Sequence, residues 1–310
     1  MDGAHVMNPG ETTAGSGAAG AVAEPATIVL LAGAVKVPDR IGHHDYLAGC
    51  ALLASLLEQT AGVRALVVRD GWPEDEQVLA GARALVFYSG GGRKLAALCS
   101  PHRIDRLQQL IDRRVGLVMI HQAVSYPPEC AHLAVSWLGG VHAGEESERG
   151  HWPTHHQDVP VHPVTRGVEP WRIRDGWLNR IRFVEGMRGV TPLVWSGREF
   201  HGSRRGGPGD VVSWTYERAD GGRSFCFTGL DAHSAWSVPS VRRLVVNGTL
   251  WSAGLSIPAT GAACAVDDAA VRAYLTPRGS RGAWLGKLLR RGLRRLSGSP
   301  RLRTAAGRKL

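Results

Sequence analysis

The sequence GLVMIHQAVS, residues 116–125, carries the clearest signal of the fold class. A small and apolar run, Gly116 to Ile120, is followed at once by His121, a glutamine and, a few residues on, a serine. In α/β enzymes this layout is typical of a buried strand that delivers one reactive side chain into a cleft. That side chain is usually a cysteine or a serine, so the histidine needs an explanation.

Strand-like and helix-like segments alternate on both sides of this stretch. Apolar runs at 28–33, 64–70 and 84–92 predict strands, and DYLAGCALLASLLEQTAG at 45–62 predicts an amphipathic helix between the first two. A second helix is predicted to begin at Ser100 as its N-cap. Nearly all-apolar strands that alternate with helices indicate an α/β fold whose mainly parallel sheet is covered on both faces.

The pattern loosens from 126 to 210, where prolines, histidines, tryptophans and glycines dominate. Regular structure resumes with strand patterns at 211–218 and 224–230 around a glycine turn, which predicts a hairpin, and then with a helix. We therefore predict a single α/β domain over 27–262. It follows a small-residue segment, 1–26, predicted to be disordered, and precedes a linker and basic tail over 263–310.

Composition indicates a cytoplasmic protein. The chain has 310 residues, 44% hydrophobic and 21% charged, and no apolar run reaches the roughly 20 residues that cross a bilayer. The N-terminal residues lack the basic start of a secretory signal. Five cysteines without C-x-x-C spacing predict reduced, mostly buried thiols rather than a disulfide framework.

The net charge of +10 belongs to the end of the chain. Residues 278–310 contain eleven lysines and arginines and no acidic residue, so the rest carries +10 − 11 = −1. Leucines and Trp284 recur there at helical spacing, opposite the basic side chains. The pattern favours peripheral contact with an anionic membrane surface. Nucleic-acid phosphate is a less favoured partner, and docking on the protein itself or a solvated tail is the alternative.

Three polar breaks follow predicted strands, where ligands bind in open parallel sheets. They are GHHD at 42–45, SGGG at 89–92 and HQAVS at 121–125. Backbone N–H groups of a glycine loop can face a ligand oxygen, although the same loop can be only a tight turn. A histidine after a strand is often structural, so the joint occurrence of these breaks is what predicts a cleft.

Two further segments carry side chains that bind metals or sugars. Residues 142–163 contain five histidines and Trp152, a composition that suits a metal or a sugar, although scattered histidines are also common in loops. GLDAHSAW at 229–236 places Asp231 and His233 after another strand. These two can ligate an ion or act together as a general base and its partner, or they can simply hydrogen-bond within a loop.

The order of several blocks resembles the ThuA-like (trehalose utilisation) family over about 27–262. The blocks include HHDYLAGCALLASLLEQTAG (43–62), ALVFYSGGG (84–92), WLGG (137–140), HPVTRGVEPWRIRDGW (162–177) and RRLVVNGTLWSAGLSIPATG (242–261). The resemblance implies a class I glutamine amidotransferase-like fold, which is a flavodoxin-like three-layer sandwich. It also implies carbohydrate metabolism, with a 3-keto-glycoside or related disaccharide derivative as substrate and hydrolase or lyase chemistry.

The resemblance accounts for the histidine of the opening stretch. Amidotransferase relatives carry a nucleophilic cysteine at this elbow, and ThuA-like proteins carry a histidine that matches His121. An imidazole suits acid/base work or metal binding better than acyl-enzyme formation, so glutaminase activity is not expected. The other positions that match the family pattern are His44, Trp137, Gly139, Gly140, His233 and Trp236.

Two positions depart from the family pattern. Relatives tend to read Asp-Glu-Trp/Tyr where this chain has Asp175-Gly176-Trp177, so a carboxylate is missing. They read Gly-Gly-His-x-His where this chain has Asp231 in place of the first imidazole. Asp231 can still ligate zinc or manganese, whereas loss of the glutamate can mean altered or absent activity.

These observations give a predicted site. The predicted catalytic residues are His121, Asp231 and His233, and His44 joins them as ligands of a divalent metal such as zinc or manganese. The predicted substrate-binding residues are Ser89, Gly90, Gly91, Trp137, His151, Trp152, Asp175 and Trp236. The expected partner is a small carbohydrate, no nucleotide cofactor is expected, and a homo-oligomer is left open. The alternative is a non-catalytic sugar-binding or regulatory protein on the same fold.

Overall fold

A computed structural model describes residues 24–34, 42–143, 147–197 and 210–275. Nearly all of the N-terminal segment predicted to be disordered, 1–26, lies outside the described residues. The basic tail at 278–310, with its predicted helix, lies wholly outside them.

The core of the described structure is a mainly parallel sheet. The strands in chain order are β1 (Ala26–Ala32), β2 (Val63–Val68), β3 (Ala82–Tyr88), β4 (Gly116–Ile120), β5 (Gly140–Val141), β6 (Glu148–His156), β7 (Trp171–Asn179), β8 (Arg182–Phe183), β9 (Val190–Trp195), β10 (Val211–Glu217) and β11 (Arg223–Phe227). Among the described residues, seven of them form one sheet in the order β2-β1-β3-β4-β11-β10-β9. The first five run parallel, and β10 pairs antiparallel with both β11 and β9.

Helices cover both faces of the sheet. The helices are α1 (Tyr46–Leu57), α2 (Pro101–Asp112), α3 (Ala131–Leu138), α4 (Pro239–Ser252) and α5 (Asp268–Ala273). Alternate residues of each strand point to opposite faces. Ile28 and Leu30 therefore pack with α1 and α4, whereas Val29 and Leu31 pack with α2 and α3. The predicted α/β three-layer sandwich is confirmed.

Local sequence signals set the helix starts. The Asp45 carboxylate accepts a hydrogen bond from the backbone N–H of Ala48 at the start of α1. Ser100 caps α2, as predicted, by accepting from the backbone N–H of Arg103, and Pro101 occupies the first helical position. The start of α1 matters for function because it fixes the chain directly after His43 and His44.

The loosened region contains an antiparallel ribbon of β6 and β7. Nine residue pairs are in register, with Trp152 opposite Asp175 and His151 opposite Gly176. Alternation along β6 places Trp152 in the core shared with α1 and α4, while His151 faces outward. This ribbon brings an otherwise distant imidazole to the sheet.

The packed part of the chain continues beyond the predicted domain boundary. We predicted a linker from residue 263, whereas Cys264 and Val271 are buried in the core with α1 and α4. Residues 268–273 form α5, capped by the Asp267 side chain. Of the residues that the structure describes, none forms a helix long and apolar enough to span a membrane.

Candidate functional site

The loops after four neighbouring strands meet at one edge of the sheet. β1, β3, β4 and β11 are consecutive in the sheet and parallel, so their carboxyl ends share this edge. The loop before α1 is tied to the loop after β11 by the backbone. His44 N–H donates to the Asp231 carbonyl at 3.0 Å, and His233 N–H donates to the Gly42 carbonyl at 2.6 Å.

The Asp231 carboxylate lies at the centre of four imidazoles. Its Oδ1 is 2.7 Å from His44 Nε2 and 3.3 Å from His121 Nε2. Its Oδ2 is 2.8 Å from His43 Nδ1 and 2.7 Å from His151 Nε2. We refer to these five residues as the Asp231 cluster. They come from the loop before α1, the end of β4, strand β6 and the loop after β11.

His121 is held in a conformation that suits a ligand. Its backbone φ is +59°, a region that non-glycine residues rarely adopt and that is often associated with functional sites. The ring Nδ1–H donates to the Thr228 carbonyl at 3.1 Å. Nε2 is buried and has no hydrogen-bond partner among the described residues. A histidine whose far nitrogen is fixed by a carbonyl while the near nitrogen is unpaired is typical of metal ligation.

The electrostatics of the cluster favour an ionised carboxylate. Burial alone raises the pKa of Asp231, but His121 and His44 stabilise the negative form more strongly. The pKa of Asp231 therefore lies well below its ordinary value, and the group is an anion at neutral pH. A buried anion surrounded by imidazoles is a chemical environment suited to a divalent cation.

Asp175 supports the loop that carries Asp231. Its carboxylate accepts from the backbone N–H groups of Gly176 at 2.8 Å, Ala232 at 3.1 Å and Leu230. Burial raises the pKa of Asp175, which is only 2% exposed. We predicted Asp175 as a substrate-binding residue, and in the structure these backbone donors occupy its oxygens. Its observed contacts are those of a positioning residue.

Gly176 leaves the space that the Asp231 cluster occupies. A Cβ atom at this position would lie 2.8 Å from Asp231 Cβ and 2.9 Å from His151 Nε2. Both contacts are shorter than side chains tolerate, so a larger residue would have to displace one partner. Gly176 and Asp231, the two positions expected to depart from the family pattern, are therefore neighbours in space.

His233 lies apart from the Asp231 cluster. We predicted it as a catalytic residue and metal ligand, but its Nε2–H donates to the Val271 carbonyl at 3.0 Å, and it belongs to neither group of potential metal ligands among the described residues. Ala232 separates His233 from Asp231 in the chain, and the His233 ring contacts α5.

The three predicted tryptophans are buried. Trp137 is 2% exposed and donates its indole N–H to Gln108 on α2, on the opposite face of the sheet from α1. Trp236 is fully buried, and Trp152 donates to the Ser196 carbonyl. Stacking on a sugar requires an accessible ring face, so these side chains form the walls of the core rather than a sugar platform.

The SGGG loop follows β3 and packs closely against the turn that follows β4. Ser89 is buried, and its hydroxyl donates to the Gly90 carbonyl. A Cβ at Gly91 would lie 2.5 Å from the Gln122 carbonyl, and Gly92 N–H already donates to the Ser125 carbonyl. The loop thus lies beside the turn that begins at His121, as predicted. The N–H of Gly92 is already used and does not face a substrate oxygen.

Two groups of three side chains could each hold a metal ion. One is His44, His121 and Asp231, and the other is His43, His151 and Asp231; within each group the ligand atoms lie within 4.8 Å of one another. Sequence reasoning did not select His43, although the doublet in GHHD was the signal that could have found it. His151 was predicted to bind substrate and lies instead in the cluster.

Comparison with known proteins gives the family. A family model described as ThuA, trehalose utilisation, matches residues 35–252. The chain belongs to the ThuA family. The predicted resemblance is thereby confirmed, and the match spans the strands and loops that build the Asp231 cluster. Curated proteins gave no match to this ThuA-family chain.

Two solved ThuA-like structures are similar to this chain. The protein from Parabacteroides merdae has 16% identity and a TM-score of 0.55, with 78% of this chain and 98% of that chain covered. The protein from Bacteroides uniformis has 14% identity and a TM-score of 0.54, with 76% and 95% covered. At these identities the likeness supports the ThuA-family fold alone.

Proposed function

We propose that this ThuA-family protein is a divalent-metal-dependent enzyme that acts on a carbohydrate derivative. The observation that carries the proposal is the Asp231 cluster, in which four imidazole nitrogens lie within 3.3 Å of one carboxylate. The family's description, trehalose utilisation, points to a disaccharide or its keto derivative as substrate. The predicted metals, zinc and manganese, fit mixed imidazole and carboxylate ligands.

Hydrogen bonding accounts for only part of the cluster. His43, His44 and His151 lie 2.7–2.8 Å from the Asp231 oxygens, which is hydrogen-bond distance. His121 differs, because its Nδ1–H is used by Thr228 and its buried Nε2, 3.3 Å from Oδ1, has no hydrogen-bond partner among the described residues. A cation held by Nε2 and Oδ1 would give that nitrogen a partner.

The exposed side of the cluster is the side suited to substrate. The side chains of His43, His44 and His151 are 29%, 38% and 53% exposed, whereas that of His121 is 4% exposed. A bound divalent ion polarises a carbonyl or hydroxyl oxygen as a Lewis acid. A partly exposed imidazole beside it can accept or return a substrate proton. This division of roles suits cleavage of a keto-glycoside by hydrolysis or elimination.

The test is metal analysis combined with a turnover assay. The purified protein is loaded with Zn²⁺ or Mn²⁺, desalted and analysed for bound metal, alongside His121→Ala and Asp231→Asn. His155→Ala is the matched control because His155 is an exposed histidine on the same strand as His151. We expect metal in the wild type and the control, and none in the two cluster variants.

The same samples are assayed with trehalose and its 3-keto derivative. We expect metal-dependent turnover of the keto derivative by the wild type and the control, and none by the cluster variants. The proposal would be overturned if the wild type bound no metal and His121→Ala bound the sugar ligand as well as the wild type does.

A second candidate is a sugar-binding or regulatory protein without catalytic activity. The observation that favours it is Gly176, which supplies no side chain where relatives tend to have a carboxylate. Saturable binding of a keto-disaccharide by calorimetry, with no product formed at any metal loading, would support this candidate. Turnover would exclude it.

A further inference from the structure

The two oxygens of Asp231 face two separate pairs of imidazoles. Oδ1 contacts His44 and His121, and Oδ2 contacts His43 and His151. No imidazole nitrogen is shared between the two oxygens at these distances. Each oxygen with its two imidazoles therefore makes a set of three ligands of its own.

Each set has the number of ligands typical of a catalytic metal. Catalytic zinc sites commonly use three protein ligands, including the two-histidine, one-carboxylate combination, and keep the remaining position open. Two ligands of one tetrahedral zinc lie about 3.3–3.5 Å apart, given metal–ligand bonds of about 2.0–2.2 Å. The separation of 3.3 Å between His121 Nε2 and Asp231 Oδ1 meets this spacing. The other three pairs, at 2.7–2.8 Å, need to open by about 0.5 Å.

The two sets differ in rigidity and exposure. His44 and His121 both have positive φ, at +51° and +59°, and His121 is fixed by Thr228. The side chains of His44, His43 and His151 are all partly exposed, at 38%, 29% and 53%, and His151 reaches the carboxylate from the outward face of β6. The set on Oδ1 thus contains the buried, fixed ligand His121, and the set on Oδ2 contains the most exposed imidazole, His151.

We propose that Asp231 bridges two divalent cations, one on each oxygen. The inference rests on the proposed function, because it takes the Asp231 cluster to be a metal site, and it adds the number of ions and the role of each imidazole. His44 and His121 hold the tighter ion, and His43 and His151 hold the exchangeable one. Bridged pairs of this kind lie about 3.5–4 Å apart and hold both oxygens of a reacting group.

The experiment measures stoichiometry and magnetic coupling. The full chain is titrated with Mn²⁺ alone, followed by calorimetry and electron paramagnetic resonance, in the wild type, His151→Ala, His43→Ala and the control His155→Ala. We expect two equivalents and an exchange-coupled spectrum in the wild type and the control. We expect one equivalent and an uncoupled spectrum in both His151→Ala and His43→Ala, each with native circular dichroism.

The outcomes separate this inference from the proposed function. One equivalent of Mn²⁺ in the wild type, unchanged in both His151→Ala and His43→Ala, would overturn the bridged pair and leave a one-metal enzyme intact. No bound metal in the wild type would overturn both. Two equivalents that remain uncoupled and survive in both variants would place the second ion elsewhere and also overturn the bridge.

Discussion

Gly176 shows how one missing side chain shapes the site. Gly176 carries no side chain, and its lack of a Cβ lets Asp231 and His151 approach each other to 2.7 Å. The carboxylate of the cluster comes from Asp231, in the loop after β11. At the residue scale, the space left by Gly176 is what the contact between Asp231 and His151 needs.

Replacing Gly176 with alanine tests whether the site needs this space. The added methyl group would push Asp231 and His151 apart, because its carbon would lie less than 3 Å from both side chains. We expect Zn²⁺ affinity to fall by about 10- to 100-fold, as for other changes that misplace metal ligands. Calorimetry measures the affinity. Gly81→Ala is the control, because a methyl group at Gly81 would meet open space, and this variant should bind Zn²⁺ like the wild type.

Single residues also mark where the sequence was insufficient. His121 could be selected because it directly follows an apolar strand, and Asp231 because it lies in the short loop after another. His43 and His44 are adjacent in sequence, and only the folded loop shows that they contact different oxygens of Asp231. His233 was selected for its spacing from Asp231, but that spacing does not fix the direction of a side chain in a loop.

Among the secondary-structure elements, apolar runs predicted the parallel strands well, because β1, β3, β4 and β11 are buried on both faces and the edge strand β2 is half-buried. The ribbon of β6 and β7 was not predicted. Its sequence contains Gly150 and Pro153, which weaken a strand pattern, and its outward face is polar. The contribution of His151 to the cluster depends on this ribbon, and the pairing of β6 with β7 is a long-range contact that local patterns do not encode.

The ribbon also makes stability depend on pH. Burial among Trp171 and Trp177 lowers the pKa of His156 to about 4 from 6.5, so the folded state favours the neutral ring. The unfolded chain binds more protons between these two values. Stability from this group is therefore complete above about pH 6.5 and is lost as pH falls toward 4, by up to about 3 kcal/mol.

Urea unfolding of the wild type and His156→Gln between pH 4 and 7 measures this contribution. The difference in unfolding free energy between the two proteins should narrow or reverse as the pH falls, because only the wild type must keep a neutral imidazole there. A difference that stays constant across this range would show that His156 has no lowered pKa.

At the scale of the whole molecule, charge divides the chain into two parts. Residues 278–310 carry eleven basic residues and no acidic one, and the rest is close to neutral. This tail lies outside the described residues, so its contact with a membrane stays a prediction. The location of the protein in the cytoplasm also stays a prediction. A basic segment with regularly spaced leucines is attracted to anionic lipid, and salt screens the attraction.

Liposome sedimentation tests the tail. The full chain should pellet with vesicles that contain phosphatidylserine, and pelleting should decrease at high salt. A chain that ends at residue 277 should stay in the supernatant, as should the full chain with neutral phosphatidylcholine vesicles. Equal pelleting of the two chains would remove the membrane hypothesis. Binding to nucleic acid in place of lipid would favour the phosphate alternative.

Crystals grown with Zn²⁺ show whether Asp231 and its imidazoles bind metal. Anomalous diffraction at the zinc edge locates the ion without assumptions about activity. We predict a peak at about 2.0–2.2 Å from Asp231 Oδ1 and from Nε2 of His44 and His121. Suppose that the map shows no zinc at Asp231 although zinc is in excess, and that the imidazoles still contact the carboxylate directly. The Asp231 cluster would then not be a zinc site.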